Sequence, residues 1–144
     1  MDARIGDVLR QLDRMGAARN TVVVFTSDNG GDANGRNDPF KGKKSSLWEG
    51  GIRAPLHIRW PGVIPAGREV SQVAVTMDLA PTLARAAGAI GGRFDAIDLM
   101  PFLRGTRAPA TRTLFWRYKR ARHVRRAVRH GDWKYVDDNG AKAL

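Results

Sequence analysis

The chain has 144 residues, of which 25 are lysine or arginine and 14 are aspartate or glutamate, for a formal net charge of +11. It contains no cysteine, which excludes disulfide bonds and thiolate metal sites. No apolar run approaches the ~18 residues of a membrane-spanning helix, and the first residues lack the unbroken apolar core of a signal peptide. The length suits one domain or a piece of one, and the positive charge by itself specifies no partner.

The first part of the chain alternates between helical and strand patterns. Apolar residues recur at helical spacing over residues 3–15, and we expect Asp2 to cap this helix and Gly16 to end it. The apolar run at residues 22–25 predicts a buried parallel strand. Residues 30–44 are rich in glycine and asparagine without periodicity, which predicts a long irregular loop.

The second part of the chain changes from helical to strand patterns. Residues 56–60 predict a short strand, and residues 79–87 predict a helix with Pro81 in its first turn and Gly88 at its end. Residues 70–75 read as an extended segment and residues 99–103 as a short apolar turn. Three more strands are predicted, at residues 114–118, 124–129 and 133–136. The last two are expected to form a β-hairpin around Gly131, so the overall class is α/β followed by antiparallel strands.

The tetrapeptide Ser27-Asp28-Asn29-Gly30 follows the predicted strand at residues 22–25. The carboxyl end of a strand in an open α/β sheet is where ligands bind. A carboxylate and an amide oxygen side by side suit a hard cation. Asp-Asn-Gly is also ordinary turn chemistry, so this tetrapeptide alone leaves open both a turn and a ligand pair.

A second motif begins at Lys44 and reads Lys-Ser-Ser-Leu-Trp-Glu-Gly-Gly-Ile-Arg-Ala-Pro. Together with Ser27-Asp28-Asn29-Gly30, it resembles the sulfatase family of the alkaline phosphatase superfamily. The resemblance continues in the family's order at residues 78–83 and 131–135. It implies that residues 1–110 are the C-terminal part of an alkaline phosphatase-like mixed sheet sandwiched by helices. Residues 111–144 would then begin a small antiparallel β subdomain.

The resemblance also implies roles for individual residues. Asp28 and Asn29 match the family's ligands for one divalent cation, usually calcium. Lys44, five residues before Glu-Gly-Gly, matches a lysine that contacts the sulfate ester. Lys41 and Lys43 are alternatives for this role, although the spacing favours Lys44. Calcium takes six to eight oxygen ligands, so Asp28 and Asn29 are not a complete site by themselves.

The segment Glu49-Gly50-Gly51-Ile52-Arg53 is better explained by structure than by catalysis. Paired glycines allow close backbone approach or positive φ, and we expect an ion pair between Glu49 and Arg53 to fix the loop. His57 alternates with apolar neighbours on a predicted strand, which is typical of a structural histidine rather than a general base.

The resemblance also shows what the sequence lacks. Sulfatases make their formylglycine nucleophile from the Cys or Ser of a Cys/Ser-x-Pro-x-Arg motif, and this sequence contains no such motif. We therefore expect the chain to be a fragment at both ends and inactive alone. Its expected partners are a sulfate ester substrate and the N-terminal part of the catalytic domain, with no membrane. Related proteins are often periplasmic or secreted, and no signal segment is visible in this chain.

Two other functions remain open at this point. A phosphonate or phosphate monoester hydrolase of the same superfamily would use a similar cation and similar ligands at a strand end. Alternatively, the basic and aromatic residues between 115 and 135 could form a non-catalytic module that binds a sulfated glycan or a nucleic acid. We expect instead that residues 117–129 alternate between a solvated face and a core face, and we do not expect nucleic acid as a partner.

Overall fold

The computed structural model describes residues 1–32, 34–89 and 91–144; Ala33, in the predicted loop, lies outside the described residues. The helices are α1 (Asp2–Arg14), α2 (Glu49–Ile52), α3 (Leu79–Ala86) and α4 (Met100–Arg104). The strands are β1 (Val23–Thr26), β2 (Leu56–Arg59), β3 (Thr113–Arg120), β4 (His123–His130), β5 (Trp133–Asp138) and β6 (Ala141–Ala143). No helix among the described residues has the length and apolar character needed to cross a membrane.

The described residues form two compact units, each built from two stretches of chain. The first unit contains Met1–Phe25 and Leu56–Pro109, and the second contains Thr26–Pro55 and Ala110–Leu144. The loop with the two motifs therefore belongs to the same unit as the antiparallel strands. The division of a catalytic domain between residues 110 and 111 stays a prediction.

The first unit begins with α1, one residue away from the predicted helix at each end. The expected cap was wrong: Met1 occupies the cap position without a side-chain hydrogen bond, and Asp2 is already helical. An aspartate in the first helical turn still interacts favourably with the positive end of the helix dipole. Gly16 follows the helix with φ of +66°, a conformation that suits a residue without a Cβ atom.

Strands β1 and β2 pair with each other in a two-stranded sheet. The expectation of a buried strand was wrong, because the end of β1 is exposed and its first residues are only half-buried. Among the described residues, β1 pairs with no strand except β2, so its apolar side chains are incompletely covered. His57 on β2 is exposed, and its ring centroid lies 6.1 Å from that of Phe25.

A buried aspartate organises the turns around α3 and α4. Asp78 is fully buried; its Oδ2 accepts the Val75 N–H at 2.8 Å and its Oδ1 accepts the Ile97 N–H at 3.0 Å. Thr82 Oγ1 donates to the Asp78 carbonyl at 2.6 Å and accepts the Leu99 N–H at 2.8 Å. The structure confirms the predicted helix at residues 79–87 to within one residue at its end, with a proline in its first turn.

The second unit contains an antiparallel sheet in the order β3-β4-β5-β6. The three predicted strands and the hairpin around Gly131, whose φ is +57°, are confirmed. The final strand β6 was not predicted. Its turn has Asn139 at φ +55° and Gly140 at φ +97°, and an Asn-Gly pair is a strong sequence signal for a two-residue hairpin turn.

The sheet has two different faces. One face carries Leu114, Trp116 and Tyr118 on β3, and its core is formed by Leu47 from the loop with Ala127 and Val136. We call it the inner face. The opposite side, the outer face, includes Phe115 and Trp133, which are 77% and 70% exposed. The prediction that residues 117–129 alternate between solvated and core positions is confirmed on β3, while on β4 several basic side chains point inward.

Candidate functional site

Asp28 and Asn29 lie in a turn directly after β1. The Ser27 hydroxyl donates to the Asn29 carbonyl at 2.8 Å, which holds the turn from within. Asp28 is exposed and Asn29 is half-buried. Their side chains make no hydrogen bond or ion pair with any residue that the structure describes. Among the described residues, therefore, no group competes with a cation for the side-chain oxygens of Asp28 and Asn29.

The glycine that ends the tetrapeptide is packed tightly against the second motif. The Gly30 N–H donates to the Gly51 carbonyl at 2.9 Å. A Cβ atom added at Gly30 would lie 1.8 Å from the Gly50 carbonyl oxygen, far inside van der Waals contact. At Gly50, a Cβ atom would lie 2.3 Å from the Gly42 carbonyl oxygen. These glycines are required because backbone meets backbone here.

The backbone of Lys44 lies next to the same turn. Its N–H donates to the carbonyl of Gly31 at 3.0 Å, and Gly31 lies two residues after Asn29 in the chain. Asn37 reinforces the contact, since its Oδ1 accepts the Gly31 N–H at 2.7 Å and its Nδ2 donates to the Gly31 carbonyl at 3.0 Å. The two motifs therefore form one local structure.

Lys41 and Lys44 in the loop have different surroundings. Lys41 Nζ lies 4.0 Å from the centroid of the Trp48 ring, a cation–π contact. Lys44 is exposed, and its side chain has no partner among the described residues. The residue after it, Ser45, has φ of +74°, which is uncommon for a residue with a Cβ atom and is often found at functional sites. The assignment of Lys44 to the sulfate ester stays a prediction.

Glu49 is the most highly connected charge near the loop. The expected ion pair with Arg53 is confirmed, with Nη1 3.8 Å from Oε2. Its shortest contact, however, is with Lys134 on β5, whose Nζ lies 2.6 Å from Oε1. Arg129 on β4 lies 4.0 Å from Oε2. Sequence reasoning missed Lys134 and Arg129, although alternation along β4 and β5 places both on the same face as buried residues.

An open cavity of about 280 Å³ lies beside Gly50. Its lining includes two arginines, Arg36 and Arg53, and the Arg53 guanidinium carbon lies 4.5 Å from the Phe40 ring centroid. The remaining lining residues are Asn37, Asp38, Phe40, Ala54 and Pro55. Guanidinium groups in a concave site suit an anionic group.

The side-chain oxygens at the turn are of the chemical type that binds a hard cation, but they are too few to complete its coordination shell. Asp28 supplies a carboxylate and Asn29 an amide oxygen, the ligands that calcium prefers. Over residues 1–32, 34–89 and 91–144, no group of three or more His, Cys, Asp or Glu side chains is placed to hold a metal ion.

Comparison with known sequences points to one family. The sequence model of the Sulfatase family matches residues 1–89. The chain is 44% identical over 118 residues to rat (Rattus norvegicus) steryl-sulfatase, a match that covers 73% of this chain and 20% of that protein. It is 34% identical over 143 residues to human (Homo sapiens) arylsulfatase A, which covers 93% of this chain and 28% of the relative. The chain thus spans between a fifth and about 28% of these relatives' length.

Comparison with solved structures agrees with the sequence comparison. The chain superposes on the crystal structure of Ps i-CgsB in complex with k-i-k-neocarrahexaose with a TM-score of 0.87 and 31% sequence identity. The match covers 96% of this chain and 32% of that one. The expected α/β class with a small antiparallel β subdomain, and the resemblance drawn from the sequence motifs, are confirmed.

Proposed function

The chain belongs to the sulfatase family, and on that basis we propose that it supplies part of the active site of a sulfuric ester hydrolase. The observation that carries this proposal is the hydrogen bond from the Lys44 N–H to the Gly31 carbonyl at 3.0 Å. It joins the backbone of the lysine in one motif to the turn that follows Asp28 and Asn29 in the other. The substrate would be a sulfate ester, R–O–SO₃⁻, and the net reaction its hydrolysis by water to R–OH and hydrogen sulfate.

Asp28 and Asn29 are the residues that we propose to hold calcium. Their side-chain oxygens are of the right chemical type, and neither is engaged with another described residue. When bound, the cation would neutralise charge on the sulfate oxygens. Further ligands would come from the N-terminal part of the catalytic domain, because two side chains fall short of the number that calcium takes.

Lys44 is proposed to bind a sulfate oxygen through its ammonium group. Its side chain is exposed and has no partner among the described residues, which leaves the charge available to a substrate. A positive group placed where negative charge develops contributes about 3 kcal/mol to transition-state stabilisation in comparable sites. The nucleophile must come from outside this sequence, which has no Cys/Ser-x-Pro-x-Arg motif. We therefore expect no ester turnover by the 144-residue chain alone.

A chimera tests the proposal directly. This chain would replace the aligned segment of human arylsulfatase A, with which it aligns over 93% of its own length. We expect the chimera to hydrolyse an aryl sulfate, and Lys44→Ala to lower kcat by about 10²-fold to 10³-fold. Lys43→Ala, one residue away in the same loop, is the matched control. A chimera that folds but has no activity, or equal effects of the two substitutions, would contradict the proposal.

The same chimera separates sulfate from phosphate chemistry. A phosphonate or phosphate monoester hydrolase would favour an aryl phosphate over the aryl sulfate with the same leaving group. Family membership favours the sulfate ester. A kcat/KM ratio in favour of phosphate would reverse this assignment.

A second candidate function rests on the outer face of the sheet. Phe115 and Trp133 are largely exposed there, and Arg117 and Lys119 are exposed on the same side of β3. Aromatic and basic groups together suit a sulfated glycan. Heparin affinity tests this: elution below about 0.2 M salt would leave the binding function without support, since only cooperative contacts survive higher salt. Retention of heparin but not single-stranded DNA would favour a glycan over a nucleic acid.

A further inference from the structure

The inner face of the sheet carries a pair of like charges that require a counterion. Arg129 on β4 and Lys134 on β5 are directly opposite each other in the strand register. Like charges at such positions repel and destabilise a sheet. Glu49 lies against both, at 4.0 Å from Arg129 and 2.6 Å from Lys134. The side chains of Lys134 and Glu49 are 12% and 29% exposed, so water screens their attraction only partly.

The loop contacts this face at alternate residues. The Ser45 carbonyl accepts a hydrogen bond from Arg125 of β4, and the Leu47 side chain is buried with Ala127 and Val136. Glu49 then pairs with Lys134. Polar, apolar and ionic contacts thus follow one another along a short stretch of chain. Lys44 immediately precedes this stretch.

The other side of the same loop holds the candidate site. The Gly51 carbonyl, two residues after Glu49, accepts the Gly30 N–H, and the Lys44 N–H donates to Gly31. Any displacement of Glu49 would therefore move the acceptor of the Gly30 hydrogen bond. Gly30 also has no free space on the side of Gly50, where a Cβ atom would lie 1.8 Å from the carbonyl oxygen.

We propose that Glu49 is a positioning residue, held by Lys134 and Arg129, through which the antiparallel sheet sets the location of Lys44 relative to Asp28 and Asn29. Glu49 itself does not touch the substrate. The catalytic importance of positioning Lys44 rests on the proposed function, whereas the effect of the sheet on the loop's position does not. The antiparallel sheet thereby becomes part of the active-site architecture rather than an appended module.

Amide hydrogen exchange in the 144-residue chain, resolved by residue with NMR, tests the link. Lys134→Met removes the charge and keeps most of the length of the side chain. We expect it to speed exchange at the Gly30 and Lys44 amides by about tenfold or more, with little change at the β3 and β4 amides. Lys134→Arg keeps the charge and is expected to retain slow exchange. Glu49→Gln, which preserves shape, tests the same link if Lys134→Met does not fold.

Arg126→Met is the matched control. Arg126 lies on β4 like Arg129 but points to the outer face, where its Nη1 is 3.8 Å from Asp137 Oδ2 and its side chain is 63% exposed. We expect no change at Gly30 or Lys44 in this variant. Unchanged exchange at these amides in Lys134→Met, or an equal increase throughout the second unit, would overturn the inference. The readout does not depend on turnover, so a failure of sulfate hydrolysis leaves this test unaffected.

Discussion

The two faces of the four-stranded sheet have similar numbers of basic residues and very different surroundings. On the inner face, Arg125 is held by Asp138 at 2.6 Å and by the Ser45 carbonyl, and Lys134 is held by Glu49. On the outer face, Arg126 is 3.8 Å from Asp137, and Arg117 is exposed. The comparison shows that basic residues along one strand are of two kinds. Successive side chains point to opposite faces, and those on the covered face are paired whereas those on the other face are exposed.

The difference also explains why net charge is a poor guide to function here. On the inner face, Arg125, Arg129 and Lys134 contact residues of the loop and are largely covered, so they are less available to an outside partner. The outer face presents its charges and its exposed aromatic rings to solvent. A formal charge of +11 therefore overstates what a polyanion would meet.

The largest expected difference between the faces concerns apolar contacts. Leu47→Ala should lower the free energy of unfolding by about 3 kcal/mol, because it leaves a cavity in the core with Ala127 and Val136. Phe115→Ala on the outer face deletes more atoms but should cost under about 1 kcal/mol, since the ring is mostly solvated. Urea unfolding followed by tryptophan fluorescence measures both. Equal losses would mean that the outer face is also covered.

Glycine substitutions compare the tightly packed loop with the surface of α1. Gly30→Ala forces a Cβ atom against the Gly50 carbonyl and should cost about 2 to 3 kcal/mol. Gly6→Ala, on the surface of α1 where only the flexible end of Arg10 lies near, should stabilise by about 0.5 to 1 kcal/mol. Opposite shifts of the thermal midpoint are expected. A neutral Gly30→Ala would refute the tight backbone contact.

Removing single charges from the two faces should give smaller differences in the free energy of unfolding. Arg125→Met leaves Asp138 and the Ser45 carbonyl without their donor on a partly covered face, and should cost about 2 kcal/mol. Arg117→Met removes an exposed outer-face charge from the neighbouring strand and should change stability by less than about 0.5 kcal/mol. The urea midpoints of the two variants measure these two stability changes. Similar losses would show that exposure does not separate the two classes.

The smallest effect on stability is expected at the candidate site itself. Asp28→Ala and Lys44→Ala remove side chains without a partner among the described residues, so each should change the free energy of unfolding by less than about 0.5 kcal/mol. The same substitutions are expected to lower activity in the chimera. A stability loss above about 1 kcal/mol in the isolated chain would assign these residues a structural role instead.

Much of the fold was predictable because the relevant signals are local. The helical period over residues 3–15, Pro81 in a first helical turn and Gly131 between two strands each act within a few residues, and the structure confirms them. The cap at Asp2 was wrong because a first-turn aspartate and a capping aspartate differ by one position. The exposure of β1 was also mispredicted, since burial depends on which strands pair with it.

The candidate site, like the fold, was only partly predictable from the sequence. The two motifs and their residue types were visible in the sequence, as was the short-range pair of Glu49 with Arg53. Lys134 was not assigned to Glu49 because 85 residues separate them in the chain. A long-range ion pair leaves no periodic signal in either segment.

The sequence by itself determined the family, most of the helices and strands, and the chemical types of the candidate residues, because these depend on local patterns and on motif spacing. Only the tertiary structure decided that the motif loop and the antiparallel sheet form one compact unit. It also decided which cations are counterions to Glu49 and which are exposed. The physical reason is that strand register and loop packing bring together charges from distant segments, and their Coulomb energy depends on distance and burial rather than on order along the chain.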